Sequence, residues 1–381
     1  MSTLTFNVNA PRHTAVDGVF AKNAAFHPEL TAFRRDLHRH PELGFEAVYA
    51  SDRVKQALKL CGVDEVHGGI GKTGVVVLVL GCQNSAHPST HSAIGLRADM
   101  DALPLQEHNA FGWKSSTPGL MHACGHDGHT AMLISAARYL AETRNFDGTA
   151  VLIFQPGEEG YAGAWAMMQD GLFDRFPCDK VCAQHNSPET PLGVIVVTPG
   201  PMQVAVDRIE IAVRAKGGHG ARPHNCVDAV LVAAHSITAV QSTVSRNLSA
   251  FDQALMETRL AALCKSIAEG FGAEAVLTCE RVYPATVNTV PEATFAADVA
   301  VALVGEPRVW RNMTPSMGGE DFSFMLKALP GADLRIGQGG QDDSFLHNSQ
   351  YDFNDDILPL GAALHASLVE RALPLSGAAG V

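Results

Sequence analysis

The chain has 381 residues, 46% of them hydrophobic and 18% charged, which is more than one core usually holds and suggests two domains. Its formal charge of -12, from 28 basic and 40 acidic residues with no Lys/Arg cluster longer than a pair, argues against a nucleic-acid or anionic-membrane surface. The longest purely apolar stretch, Val75 to Leu80, falls far short of the ~18 residues a membrane span needs and matches a buried strand instead.

Met1 to Phe26 is polar and broken by Pro11, without the basic and hydrophobic regions of a secretion signal, so the cytoplasm is the expected location. The spacing of Leu30, Phe33 and Leu37 predicts a helix over Glu29 to His40, stopped by Pro41, and a second helix runs from about Ala47 to Leu60. Gly68 to Gly71 reads as a loop. Val75 to Leu80 and Ile94 to Asp99 read as buried strands, separated by a surface loop from Cys82 to Ser92. Met132, Leu133, Ala136, Ala137 and Leu140 share one face of a helix predicted from Thr130 to Thr143. A strand from Ala150 to Phe154 then delivers the loop Gln155 to Gly160, and a short strand, Val181 to Ala183, ends at Gln184-His185-Asn186. Strands alternating with helices predict an α/β domain whose mainly parallel sheet is flanked by helices, with its site at the carboxyl ends of the strands.

The pattern changes near Pro199-Gly200-Pro201. Ile209, Ile211 and Val213 alternate with Arg208, Glu210 and Arg214, as in a half-exposed antiparallel strand. Helices at about Asp228 to Val244 and Thr258 to Phe271 and a strand near Ala275 to Val282 complete a small α+β layer. The α/β style resumes after Tyr283-Pro284 with helices at Ala293 to Val304, Phe322 to Leu329 and Ile357 to Ala372, and a strand at Asp333 to Ile336. A small domain over residues 201–284 is therefore expected as an insertion in a larger one over 1–200 and 285–381.

Met121-His122-Ala123-Cys124-Gly125-His126-Asp127-Gly128 gathers a thiol, two imidazoles and a carboxylate just before a helix, which points to a metal site, the alternative being a polar turn. Thiolate and imidazole suit zinc, with manganese, cobalt or nickel open if carboxylates complete the shell. Glu158-Glu159 follows a buried strand, where two adjacent carboxylates repel unless a cation is near. One would then ligate metal and the other take a proton from water. The alternative is a solvated acidic turn. His185 ends a strand, and His347 stands in Phe345-Leu346-His347-Asn348 after Asp342-Asp343; each reads as a ligand or as a hydrogen-bonded structural histidine. Asp99 and Asp101 close a strand as turn or cap residues, or orient ligand histidines. His219, in Lys216-Gly217-Gly218-His219-Gly220-Ala221-Arg222-Pro223-His224, has little packing support and is a candidate donor to a substrate oxygen.

In order along the chain, Leu37 to Glu46, Arg97 to Pro104, Met121 to Thr130, Gln155 to Gly160, His185-Asn186, Gly217 to His224, Met317 to Phe322, Leu346-His347-Asn348 and Tyr351 to Asp355 resemble the aminoacylase/carboxypeptidase superfamily of dinuclear metallohydrolases. The likeness is to its hippurate hydrolase and indole-acetyl-amino-acid hydrolase branch. That resemblance implies a phosphorylase/hydrolase-like catalytic domain with an inserted lid and dimerisation domain. It implies two divalent metal ions per subunit held by Cys124, His126, Glu159, His185 and His347, with Cys124 bridging. It makes Glu158 the general base toward the bridging water, and His219 the residue that polarises the scissile carbonyl across a homodimer. The expected substrate is a small N-acyl amino acid, and neither nucleic acid nor membrane is an expected partner. Rival readings are an N-acetyl-diaminopimelate deacetylase or dipeptidase on the same scaffold, and a non-catalytic protein binding metal and an amino-acid derivative. Against the pattern of the branch, about thirty residues of the small domain are absent where Met256 meets Glu257, which puts substrate affinity and dimer geometry in question.

Overall fold

A computed structural model describes residues 14–82, 92–246, 253–339 and 345–375. Residues 83–91 of the expected surface loop, the acidic pair Asp342-Asp343 and the first thirteen residues lie outside the described residues. The chain folds as two compact units: residues 1–202, 287–314 and 321–381, and residues 203–286 with 315–320.

The large unit is built on eight strands in the spatial order Glu65–Ile70, Gly74–Leu80, Thr149–Gln155, Ala93–Asp99, Lys180–Ser187, Gly331–Gly337, Ile195–Val196 and Val309–Trp310. The central ladders, Thr149–Gln155 with Ala93–Asp99, Ala93–Asp99 with Lys180–Ser187, and Lys180–Ser187 with Gly331–Gly337, are parallel. Their strands are buried on both faces, which the apolar run of Thr149–Gln155 leads one to expect, while Ala93–Asp99 and Lys180–Ser187 also bury polar residues toward their carboxyl ends. Antiparallel pairs lie toward the edges. The helix His126–Thr143 packs against Leu358–Ala372, and both are buried along most of their length. The carboxyl ends of the three adjacent parallel strands therefore present Asp99, the Glu158-Glu159 turn and His185 on one side of the sheet.

Four local expectations need correction. Gly68 to Ile70 ends a strand, with a register shift between Gly68 and Ile70, rather than forming a loop; its glycines hid an edge partner for Gly74–Leu80. The helix expected from Thr130 begins at His126, so His126 sits in its first turn. The short strand expected over Val181 to Ala183 runs from Lys180 to Ser187, so His185 and Asn186 stand inside its carboxyl-terminal half. Glu158–Tyr161 is a short helical turn, broken by non-helical backbone at Glu159 and Gly160, and is followed by the helices Gly163–Gln169 and Leu172–Arg175.

In the small unit, Val206–Arg214 pairs antiparallel with Glu274–Tyr283, setting Ile209 opposite Cys279 and Ile211 opposite Leu277. Helices Ala229–Arg246 and Gln253–Gly270 accompany this ribbon. Met256-Glu257 falls inside the second helix. Among the described residues, the sheet formed by this ribbon therefore has two strands.

Candidate metal centre

Cys124 and His126 flank Gly125, which caps the helix His126–Thr143 with φ at +93°. Only glycine fits here. A Cβ on Gly125 would stand 2.5 Å from Asn186 Oδ1 and 2.7 Å from Tyr351 Oη, besides requiring the left-handed backbone. The close approach seats Cys124 against the strand that carries His185, and its Sγ lies 3.4 Å from His185 Nε2.

Both histidines are held by their other ring nitrogen. His126 Nδ1 donates to the Asp101 carbonyl at 2.9 Å, and His185 Nδ1 to the Asn186 carbonyl at 2.7 Å. In the neutral rings this leaves the lone pair on Nε2, the form in which imidazole binds a metal. His126 Nε2 is buried without a hydrogen-bond partner.

Asp101 does a second job. Its two carboxylate oxygens accept the backbone N–H groups of Glu158 (3.0 Å) and Glu159 (3.1 Å), so one buried aspartate fixes the acidic turn as well as the His126 ring. Glu159 Oε1 lies 3.3 Å from His347 Nε2 and 3.9 Å from His126 Nε2. His347 adopts φ +61°, uncommon outside glycine, and its N–H donates to the Ala123 carbonyl at 2.8 Å, tying it to the Cys124 segment. It is the exposed member of the group.

His129, one turn after His126, lies with Nδ1 2.6 Å from Asp99 Oδ1 and Nε2 2.8 Å from Asn186 Oδ1. The Asn186 amide is oriented by its Nδ2, which donates to Gln338 Oε1 and Tyr351 Oη. The sequence alone assigns no role to His129, Gln338 or Tyr351, although His129 and Tyr351 lie in stretches that carry the family resemblance. Only His129 left a signal, the three-residue spacing from His126 that puts both on one helix face.

Two donor groups share the thiol: Cys124, His126 and His185, and Cys124, Glu159 and His347, each with ligand atoms within 4.8 Å of one another. Burial, with the neighbouring Glu159 carboxylate, pushes the Cys124 thiol up to about 12. Burial disfavours charge on His126, yet Asp99 and Cys124 outweigh it and hold its pKa well above the usual histidine range. Burial and His129 hold His185 well below that range, so it stays neutral. Burial opposes ionisation of Glu159, but its bond to His347 and the charge of His126 keep it lowered. One thiol, three imidazoles and a carboxylate, with an orphaned nitrogen among them, fit a divalent cation, which would replace the protons on Cys124 and His126.

Glu158 is buried on the same turn, and His126, Glu158 and Glu159 form a further close group. The structure thus brings Cys124, His126, Glu158, Glu159, His185 and His347 together within the large unit. His219 belongs to the small unit. It lies on an exposed turn closed by the Arg222 N–H donating to its carbonyl at 2.8 Å, and its Nδ1 accepts the Ala221 N–H at 3.1 Å.

The sequence model of peptidase family M20/M25/M40 matches residues 95–371. Hippurate hydrolase of Campylobacter jejuni is 38% identical, over 91% of this chain and 97% of its own length. N-acetylcysteine deacetylase of Bacillus subtilis is 32% identical, over 90% and 97% respectively. Among solved structures, a Bacillus subtilis protein described as a dinuclear metal binding peptidase from the M20 family superposes with a TM-score of 0.78 at 29% identity, covering 92% of this chain and 99% of that one.

Proposed function

The chain belongs to peptidase family M20/M25/M40, and from that premise we propose a metal-dependent amidohydrolase that splits N-acyl amino acids into a carboxylic acid and a free amino acid. The observation that carries the proposal is the pair of donor groups meeting at Cys124. Cys124, His126, Glu159, His185 and His347 are the ligands of two divalent ions in this reading. Zinc is favoured by the thiolate, with manganese, cobalt or nickel as the other candidates. When bound, such a pair lowers the pKa of water and stabilises the oxyanion that develops on the amide carbonyl.

The protein's own groups do the rest. Glu158, fixed through its backbone by Asp101, takes a proton from the attacking water on its carboxylate and returns it to the leaving nitrogen. The Ala221 N–H occupies Nδ1 of His219, so in the neutral ring Nε2 carries the proton and is the free donor, suited to a carbonyl oxygen. His219 serves the active site of the other protomer of a homodimer. Support for dimerisation comes from the helix Ala229–Arg246, which exposes Val230, Leu231 and Ile237. The eight cysteines, all free, suit a reducing compartment and hence the cytoplasm.

The likeness to hippurate hydrolase favours an aromatic acyl group, and the likeness to N-acetylcysteine deacetylase keeps an acetyl group as the second reading. Metal analysis of the purified protein together with turnover of benzoyl-, indole-acetyl- and acetyl-amino acids tests this. Two divalent ions per chain and chelator-sensitive cleavage, fastest on the benzoyl substrate, are expected. A metal-loaded protein that cleaves none of the panel would make it a binding protein and end the proposal.

A further inference from the structure

The Arg97 guanidinium is buried on the strand Ala93–Asp99, and each of its nitrogens donates to a different residue. Nε bonds Gln155 Oε1 at 2.9 Å, Nη1 bonds Asp99 Oδ2 at 2.8 Å and Nη2 bonds Asp321 Oδ1 at 3.1 Å. Asp321 also accepts Gln155 Nε2 on both oxygens (2.8 and 2.9 Å) and the Ala164 N–H at 2.8 Å.

These bonds run in two directions. Through Asp99 they continue to His129 and then to Asn186, the residue after His185, whose side chain stands against Gly125, the residue after Cys124. Through Gln155 and Asp321 they reach both ends of the turn that carries Glu158 and Glu159, since Gln155 precedes it and Ala164 follows it. The turn itself is closed by the Gly163 N–H donating to the Gly157 carbonyl at 2.8 Å. One planar cation therefore spans the thiol-and-histidine side of the centre and its carboxylate side.

We infer that Arg97, with Asp321 and Gln155 as its partners, is a positioning residue that sets the Glu158-Glu159 turn against the Cys124, His126 and His185 donors. Stability alone is a poor reason to keep such a cluster, because well-packed apolar residues of like volume often serve a core as well as buried ions do. A rigid fork that engages three acceptors at once fixes angles, which a lysine ammonium on a flexible stem does not. The inference rests on the metal centre proposed above, but it is measured separately from turnover.

The test compares wild type, Arg97→Lys and Asp321→Asn for thermal unfolding, cobalt(II) affinity, the visible spectrum of the cobalt-loaded protein, and kcat and KM on the best substrate. Folded variants are expected to bind cobalt about 10- to 100-fold more weakly or with altered bands. Their kcat should fall about 10- to 100-fold while KM stays within about threefold. Variants that lose only unfolding temperature, with wild-type cobalt affinity, spectrum and kcat, would reduce Arg97 to a core charge and overturn the inference. Should Arg97→Lys be recovered unfolded, the isosteric Asp321→Asn decides. Should the wild type cleave no amide, the proposed function falls while cobalt affinity and spectrum still judge Arg97.

Discussion

Two segments of the chain set histidines among glycines, and the fold uses them in opposite ways. In Cys124 to His129 the glycine is a spacer removed. Gly125 lets the side chains of Asn186, on the strand Lys180–Ser187, and of Tyr351 approach the helix start closely, and every polar side chain there is buried and held by a named partner. In Gly217 to His224 the residues are exposed, and a Cβ on Gly217 or Gly220 would meet nothing within 4 Å. The same local composition thus marks close packing in one place and an open turn in the other. What separates them is whether apolar strands and a helix converge on the segment.

The sharpest way to break this contrast is at the buried carboxylate. Glu158→Gln preserves volume and leaves every proposed metal ligand in place, yet should lower kcat by about 10³- to 10⁴-fold, the scale of a lost general base. Unchanged metal content with full activity would remove Glu158 from the reaction. Next comes the spacer. Gly125→Ala forces a left-handed backbone and drives a methyl into Asn186 Oδ1 and Tyr351 Oη, for an expected loss of about 4 kcal/mol in urea unfolding together with weaker metal binding. A variant as stable as wild type would mean that the close approach is not needed.

A smaller effect lies behind the helix start. His38 is buried with Nδ1 2.9 Å from Asp127 Oδ2 and Nε2 3.3 Å from Glu107 Oε1. Burial opposes its charge, but bonds to Asp127 and Glu107 win and raise it from 6.5 to about 9. Because the folded value lies above the unfolded one, the stabilisation is fully present below pH 6.5 and is lost as pH rises through about 9. The two values correspond to about 3 kcal/mol. His38→Gln should therefore be less stable than wild type at pH 6, and the gap in thermal unfolding should narrow by pH 9.5. A gap independent of pH would show that His38 acts by packing alone.

Much of the large unit was legible because most of its strands carry apolar runs and its helices periodic apolar faces: Val75 to Leu80 needed only hydropathy, and Ile94 to Leu96 opened a strand that goes on to bury Arg97 and Asp99. The edge strand Glu65–Ile70 was not, since Gly68 and Gly69 resemble a turn and its partner is what makes it a strand. The candidate ligands stood out as residue types, but their pairing did not. Cys124 and His185 are 61 positions apart, and nothing in their spacing says that they meet. The resemblance to a family supplied that grouping. Asp101 looked like a cap, and it caps the Glu158-Glu159 turn on the next strand, which no local pattern reveals. Arg97 and Asp321, 224 positions apart, left no sign of their union.

The exposed turn sharpens the comparison from the other side. If its openness is functional, His219→Ala should leave unfolding unchanged within about 0.5 kcal/mol, because an exposed side chain outside a packed site contributes little to stability. Its kcat should nonetheless fall about 100-fold, the loss of one donor to a developing oxyanion. Gly220→Ala then separates the side chain from the backbone. The position has no crowding neighbour, so the alanine should fold and turn over within about twofold of wild type if the turn needs only its histidine. A large drop in kcat for Gly220→Ala at unchanged stability would instead mean that the turn must flex through conformations alanine resists, and freedom of the backbone would join the His219 donor as a requirement of the reaction.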